Sequence, residues 1–177
     1  MTGMEAQEGD VATVRAAQAG DERAFEALYR RYARVVHGIL LSRLPASEVE
    51  DLVQEVFLTA LNKLKSLREP AAFPGWIASI ARNRATDHLR SMPAETEIDD
   101  RIPARGADAA DRAEARRALA AIQALPDAYR ETLTLRLVEG LTGPEIAERT
   151  GLAHGSVRVN LHRGMQMLRE ALQKEAR

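Results

Sequence analysis

The chain contains no cysteine. That excludes disulfide cross-links, a thiol nucleophile and every cysteine-based metal site. Aromatic residues are scarce, with one Trp, three Tyr and three Phe among 177 residues. No apolar run is long enough to span a bilayer, and the opening MTGMEAQEGD is acidic and lacks a signal-peptide core. A cytoplasmic protein that does not insert into membrane is expected. His37, His88, His154 and His162 show no metal-ligand spacing, and no Walker-type loop, nucleophile motif or paired catalytic carboxylates is present. Neither enzymatic activity nor a metal or cofactor is therefore expected. Strand-period alternation is missing as well, which leaves an all-α chain in two helical domains.

What is present is a large apolar fraction, 45%, enough for packed cores, and an uneven charge distribution behind a net charge of −1. Between Leu61 and Arg90, six cations (Lys63, Lys65, Arg68, Arg82, Arg84, Arg90) face two acids. Between Gly151 and Arg177, five cations face two acids. Between Ser91 and Glu114, seven acids face three arginines. Two basic segments flanking an acidic one fit two nucleic-acid-facing surfaces better than one neutral globule.

The stretch from Leu141 to Leu172 is the most informative. Thr142, Pro144 and Glu145 write a capping box with a proline at an early helical position. Gly151 supplies a residue able to take positive φ at the helix end. The following helix places Val157, Leu161, Leu168 and Leu172 on one face and Arg158, Asn160, His162 and Arg163 on another. A short helix, a tight turn and a second helix with basic and amide side chains outward is the helix-turn-helix plan, in which Arg pairs with guanine edges and Asn with adenine edges. Two amphipathic helices joined at a glycine also occur in helical proteins that bind no DNA, so the rest of the chain has to decide.

Residues 1–20 read as a tail and a short helix from Val11 to Ala19. The first domain is expected over 21–92. Asp21 is a good N-cap for a helix from Ala24 to Leu44, with Phe25, Leu28, Tyr29, Tyr32, Val36, Ile39 and Leu40 on one face and Arg23, Arg30, Arg31 and Arg34 opposite. Ser47 with Glu50 suggests a second capping box. Behind it, Val49, Leu52, Val53, Val56, Phe57, Ala60, Leu61 and Leu64 form a buried stripe, away from which lie Asp51, Gln54, Glu55 and Leu58. Asp51 and Glu55 are a like-charge i,i+4 pair, and on the residues alone they read as acids favoured near a helix start by its dipole. Glu69 to Gly75 breaks the helical pattern, which resumes from Trp76 to Arg90. There Trp76, Ile77, Ile80, Ala81 and Leu89 face a core and Arg82, Asn83, Arg84, Asp87, His88 and Arg90 lie outside. A basic helix beside aromatics suits single-stranded nucleic acid, although Trp76 itself reads as core. Residues 93–111 read as an acidic linker, long enough at ~3.3 Å per residue to reach roughly 60 Å. The second domain is expected over 112–177. Leu119, Ile122, Leu125, Tyr129, Leu133, Leu135, Leu137 and Val138 are its apolar positions under the helix-turn-helix.

The stretches GDERAFEALYRRYA, DLVQEVF, FPGWIASIARNRATDHLR, ALPDAYRETLTLRLVEGLTGPEIAERTGL and GSVRVNLHRGMQMLREAL occur in the order found in one family. From about Gly20 to Leu172 the chain resembles the bacterial sigma-70 family of RNA polymerase sigma factors, in its extracytoplasmic-function (ECF) form. The resemblance implies that DLVQEVF docks on the clamp helices of the largest core RNA polymerase subunit through Asp51, Gln54 and Glu55. It implies minus-10 recognition and melting by Arg82, Asn83, Asp87 and Arg90, and minus-35 recognition by Arg158, Asn160, His162 and Arg163. Core RNA polymerase, through its clamp and the flap of its second largest subunit, promoter DNA and an anti-sigma factor are the partners it implies. The chain departs from the family pattern at Pro74-Gly75, at Ala153 before the recognition helix, and at Val159, Asn160 and Met165. A stand-alone helix-turn-helix regulator is the alternative, but it leaves Asp51–Phe57 without a task.

Overall fold

The computed structural model describes residues 3–92 and 109–175. These form eight α-helices and no strand, as an all-α chain requires. The linker expected at 93–111 falls largely outside the described residues; its last three residues already belong to a helix.

Helix α1 spans Gly3–Gln18, longer at its start than the expected short helix. Helix α2 spans Glu22–Leu41, and Asp21 caps it as expected by accepting from Arg23 N and Ala24 N. Helix α3 spans Ala46–Lys63 and departs from expectation at its start. Pro45 occupies the cap position and no side chain caps the helix there. Pro45 has an extended backbone and the helix begins right after it, so Ser47 is already inside the first turn and cannot form the box with Glu50. Two 3-10 turns, Leu64–Ser66 and Pro70–Ala72, lead to α4, Phe73–Ser91. The pattern break therefore ends sooner than expected. Pro74 sits in the first turn of α4, where a missing N–H costs nothing, and Pro74-Gly75 starts the helix instead of interrupting it.

Helices α1 to α4 enclose the main core. Tyr32, Val35, Val36, Ile39 and Leu40 of α2 meet Val49, Val56 and Ala60 of α3 and Phe73, Ile77 and Ala81 of α4, all fully buried. Each large side chain here contributes about 1.5–3 kcal/mol through burial. The few aromatics are concentrated in this domain. Phe73 packs edge-on to Tyr32 at 5.1 Å and against Trp76 at 5.8 Å, and Tyr29 leans on Phe57 at 4.5 Å. Trp76 is thus half-buried core, as read. The Tyr32 hydroxyl donates to Asp10 Oδ2 at 2.6 Å and ties α1 to α2. Burial raises the Asp10 pKa above the usual carboxylate range, against the lowering effects of Tyr32 and Arg31.

The second domain holds α5, Ala109–Gln123; α6, Asp127–Leu137; α7, Gly143–Thr150; and α8, His154–Glu175. Its own core is small: Ala121, Ile122, Leu125, Leu133 and Leu168, with Tyr129, Leu161, Met165, Met167 and Leu172 packed around them. Leu137 and Val138, expected beneath the helix-turn-helix, are about half exposed, because α6 ends there and the chain turns at Gly140. Leu135, Leu141, Ile146, Ala147 and Val157 are buried in the first domain's cluster instead. Gly38 explains how. A mid-helix glycine costs about 0.5–1 kcal/mol relative to alanine, yet α2 has one where α6 crosses. A Cβ at Gly38 would lie 2.7 Å from Leu135 Cδ2 and 2.8 Å from Glu139 Cγ.

Candidate nucleic-acid and polymerase interfaces

The helix-turn-helix forms as its residues dictate. Thr142 Oγ1 accepts from Glu145 N at 3.4 Å and Glu145 Oε2 accepts from Thr142 N at 2.9 Å, closing the capping box. These bonds to Thr142, backbone first, hold the Glu145 carboxyl below its ordinary pKa. Gly151 takes φ 73 at the C-cap of α7, and its N–H reaches Ala147 O. In α8, Val157 is buried and Leu161 and Leu168 face inward, while Arg158, His162 and Arg163 are exposed and Asn160 is half-buried. Ala153 O is the first acceptor of α8, from Val157 N at 3.1 Å. Its methyl offers no acceptor to the free amides of the first turn, so the recognition helix begins without a side-chain cap from that position.

On α4, Asn83, Asp87 and Arg90 are exposed. Leu89, expected toward the core, is exposed as well, close to the end of the helix. Arg82 is separated from the other three. Its guanidinium forms a two-pronged pair with Glu131 of α6, with Nη2–Oε1 at 2.7 Å and Nε–Oε2 at 3.0 Å. Those hydrogen bonds raise the Arg82 pKa, outweighing the opposing effect of burial. Arg84 pairs with Glu55 across to α3, its Nε donating to Oε2 at 2.6 Å. That cation relieves the repulsion between Asp51 and Glu55.

Helix α3 presents Asp51, Gln54 and Glu55 to solvent together with Leu58 and Leu61, which are 59% and 47% exposed. Helical spacing predicts Leu61 in the buried stripe. It lies at the edge of that stripe, about 40° from Phe57 around the helix, and it joins Leu58 on the open side. Two exposed leucines beside two acids and an amide make a mixed surface of the kind protein interfaces use.

Residues that sequence reasoning missed lie between the domains: Glu131, Glu139 and Gln123. Glu131 is only 5% exposed in a helix otherwise read for its leucines. No local pattern pairs it with an arginine 49 residues earlier.

Two helical domains, one bearing a helix-turn-helix and the other an exposed basic helix beside a mixed docking helix, define a DNA-binding factor built for assembly. The comparisons with known proteins are more specific. The sigma-70 region 2 family matches residues 28–92, and the sigma-70 region 4 family matches residues 115–168. The RNA polymerase sigma factor CarQ of Myxococcus xanthus is 35% identical over 159 residues, covering 86% of this chain and 91% of that one. The RNA polymerase sigma-H factor of Pseudomonas aeruginosa is 32% identical over 184 residues, covering 94% and 95%. The ECF RNA polymerase sigma-E factor of Escherichia coli K12 is 30% identical over 187 residues, covering 96% and 97%. The fold is similar to that of CnrH in its complex with the cytosolic domain of CnrY, with TM-score 0.65 and 24% identity over 93% of this chain and 97% of that one. The chain belongs to the sigma-70 family of RNA polymerase sigma factors, in its ECF group, and its function is promoter-specific transcription initiation. Among the described residues, no helix is long and apolar enough to cross a membrane.

Proposed function

We propose that the chain is a dissociable initiation subunit that works in the cytoplasm and makes no bonds itself. The exposed stripe on α3 carries the reading. Asp51, Gln54 and Glu55 supply polar contacts to the clamp helices of core RNA polymerase, and Leu58 and Leu61 supply apolar area between them. Two large leucines flanked by acids stand exposed there, and no described residue buries them. The outward face of α4, through Asn83, Asp87 and Arg90 and with Arg82 once released, reads and opens the minus-10 element. Arg158, Asn160, His162 and Arg163 on α8 read the minus-35 element, and the polymerase flap holds this domain in place. The mixed charge of the α8 face, with Asn160 half-buried, favours a limited set of base contacts supported by phosphate contacts. An anti-sigma protein covering these surfaces is the natural antagonist; relatives of this fold were solved in complexes of that kind, CnrH with CnrY and RpoE with NepR.

The test is Asp51→Arg with Glu55→Arg. Affinity for core polymerase should fall at least tenfold while helicity is retained. Unchanged affinity in a folded double variant overturns the docking assignment. Arg158→Ala with Arg163→Ala should then weaken transcription only from promoters that depend on a minus-35 element.

A further inference from the structure

Among the described residues of α8, Val159 is the large apolar side chain most open to solvent, at 42% exposed. Its place on the helix is specific. Val157 and Leu168 are the large side chains that α8 buries. At about 100° per residue, Val159 points about 160° away from Val157 and about 180° away from Leu168. It therefore marks the middle of the outward face. Arg158 and Asn160 stand about 100° to either side of it, and His162 and Arg163 follow one turn later at about 60° and about 40°. Arg158, His162 and Arg163 are exposed and Asn160 is half-buried. The residues assigned to base reading thus flank a position whose side chain carries no hydrogen-bonding group.

The surroundings of Val159 let this face come close to another surface. One turn before it stand Gly155 and Ser156, both exposed. A Cβ at Gly155 would meet nothing within 4 Å, so no packing among the described residues requires a glycine there. Glycine is a poor helix former; here it leaves the leading end of the face low. Beyond Val159, Gln166 donates to Glu170 Oε1 at 3.3 Å. Both lie within about 20° of the line through Val159. An acid there repels phosphate, which confines the approach of DNA to roughly the first three turns of α8.

In a helix-turn-helix, the N-terminal half of the second helix enters the major groove. The middle of its outward face then meets base edges, while flanking side chains reach the groove walls and their phosphates. The apolar group that the major groove offers is the thymine C5-methyl. Cytosine has no methyl and presents an amino donor instead. Valine would strip that donor of water and give no acceptor in return. Its branched Cβ also holds one rotamer in a helix, so its two methyls are fixed before DNA arrives. A single exposed apolar residue is ordinary on a protein surface; Val159 differs by its central place among cations on the face assigned to DNA.

We infer that Val159 is a specificity-determining residue that reads a thymine methyl in the minus-35 element, an inference that rests on the assignment of α8 to that element. Loss of contact with one methyl group corresponds to about fourfold in affinity.

Replacing thymine by deoxyuridine removes that methyl and leaves base pairing intact. The test uses the full chain with core RNA polymerase on a promoter whose transcripts disappear when its minus-35 element is scrambled. Each minus-35 thymine, on either strand, is replaced in turn, and binding of the labelled promoter is titrated. With the parent chain, one replacement should lower promoter affinity about fourfold. Val159→Ala removes both Cγ methyls and favours the helix more than valine does, so the fold is retained. That variant should bind the thymine and deoxyuridine promoters equally, at about the parent's level on deoxyuridine. A parent indifferent to every replacement overturns the inference, as does a minus-35 element without thymine. So does a Val159→Ala chain that still prefers thymine by the parent's ratio. Arg158→Ala with Arg163→Ala separates the two levels. If that variant weakens transcription from this promoter while deoxyuridine has no effect on the parent, only the role of Val159 fails. If it transcribes as the parent does, or if no promoter depends on a minus-35 element, the assignment of α8 fails and the role of Val159 with it.

Discussion

The first and second domains are built to different standards. The first packs α2, α3 and α4 around aromatic and aliphatic side chains with almost no exposure, and it supplies most of the residues of that core. The second has five buried apolar residues in a core of its own and sends Leu135, Leu141, Ile146, Ala147 and Val157 into its neighbour's core. The difference explains why charged contacts concentrate at the boundary. A small helical domain cannot bury all its apolar surface alone, and the acids fix which neighbour covers the remainder.

Core substitutions should break this comparison most strongly. Phe73→Ala removes a fully buried ring that touches Tyr32 and Trp76 and should cost about 3–5 kcal/mol. Denaturation followed by Trp76 fluorescence and by amides of α7 should show both domains failing together. Leu133→Ala, fully buried in the second core, should cost about 2–5 kcal/mol yet leave the Trp76 transition almost where it was. Equal shifts of Trp76 in the two variants would mean that the cores are not separable.

Much of this organisation can be read in the sequence wherever it depends on neighbours along the chain. Asp21, the box of Thr142 and Glu145, and Gly151 fix helix ends within four residues, and all three behave as their residue types require. The buried stripes of α2 and α3 follow from spacing for the same reason, except at Tyr29, which leans on Phe57 at the edge of the α2 face and stays exposed, and at Leu61. Failures occur where the deciding partner is remote or where a helix runs out. Ser47 lost its cap to the adjacent Pro45. Leu61, Leu89, Leu137 and Val138 are apolar and so read as core, but they stand exposed at stripe edges or helix ends, uncovered by the described residues. Arg82 was grouped with Asn83, Asp87 and Arg90 by its position on the helix. Only the fold reveals Glu131 opposite it. The exposure of Asp51, Gln54 and Glu55 was legible, and that of Arg158, His162 and Arg163 was too; what they touch in an assembly is not a property of spacing.

Smaller effects sharpen the comparison. Thr142→Ala should cost about 1 kcal/mol by opening the capping box, seen as faster amide exchange at the start of α7 with α2 unaffected. Acidification should act on the two regions with opposite sign. Glu145 has a lowered pKa when folded, so its contribution is present above the unfolded value of 4.5 and is lost as pH falls through the folded one. Asp10 has a raised pKa, so the folded state takes up its proton more readily than the unfolded chain does, and the cost of its buried charge is relieved as pH falls toward 3.8. Amide exchange between pH 5 and pH 3 should quicken at Glu145 and Ile146, while the contact of α1 with α2 holds longer. Glu145→Gln should abolish the first response, and Asp10→Asn the second.

The most direct measurement mixes the purified full-length chain with bacterial core RNA polymerase and records run-off transcripts from a set of genomic promoters. Stable co-elution and transcripts confined to a few promoters, both lost in Asp51→Arg with Glu55→Arg, are the predicted result. Binding to duplex DNA by the free chain with no association with core polymerase would contradict it. The helix-turn-helix would then belong to a stand-alone regulator, and the exposed stripe on α3 would need a different partner.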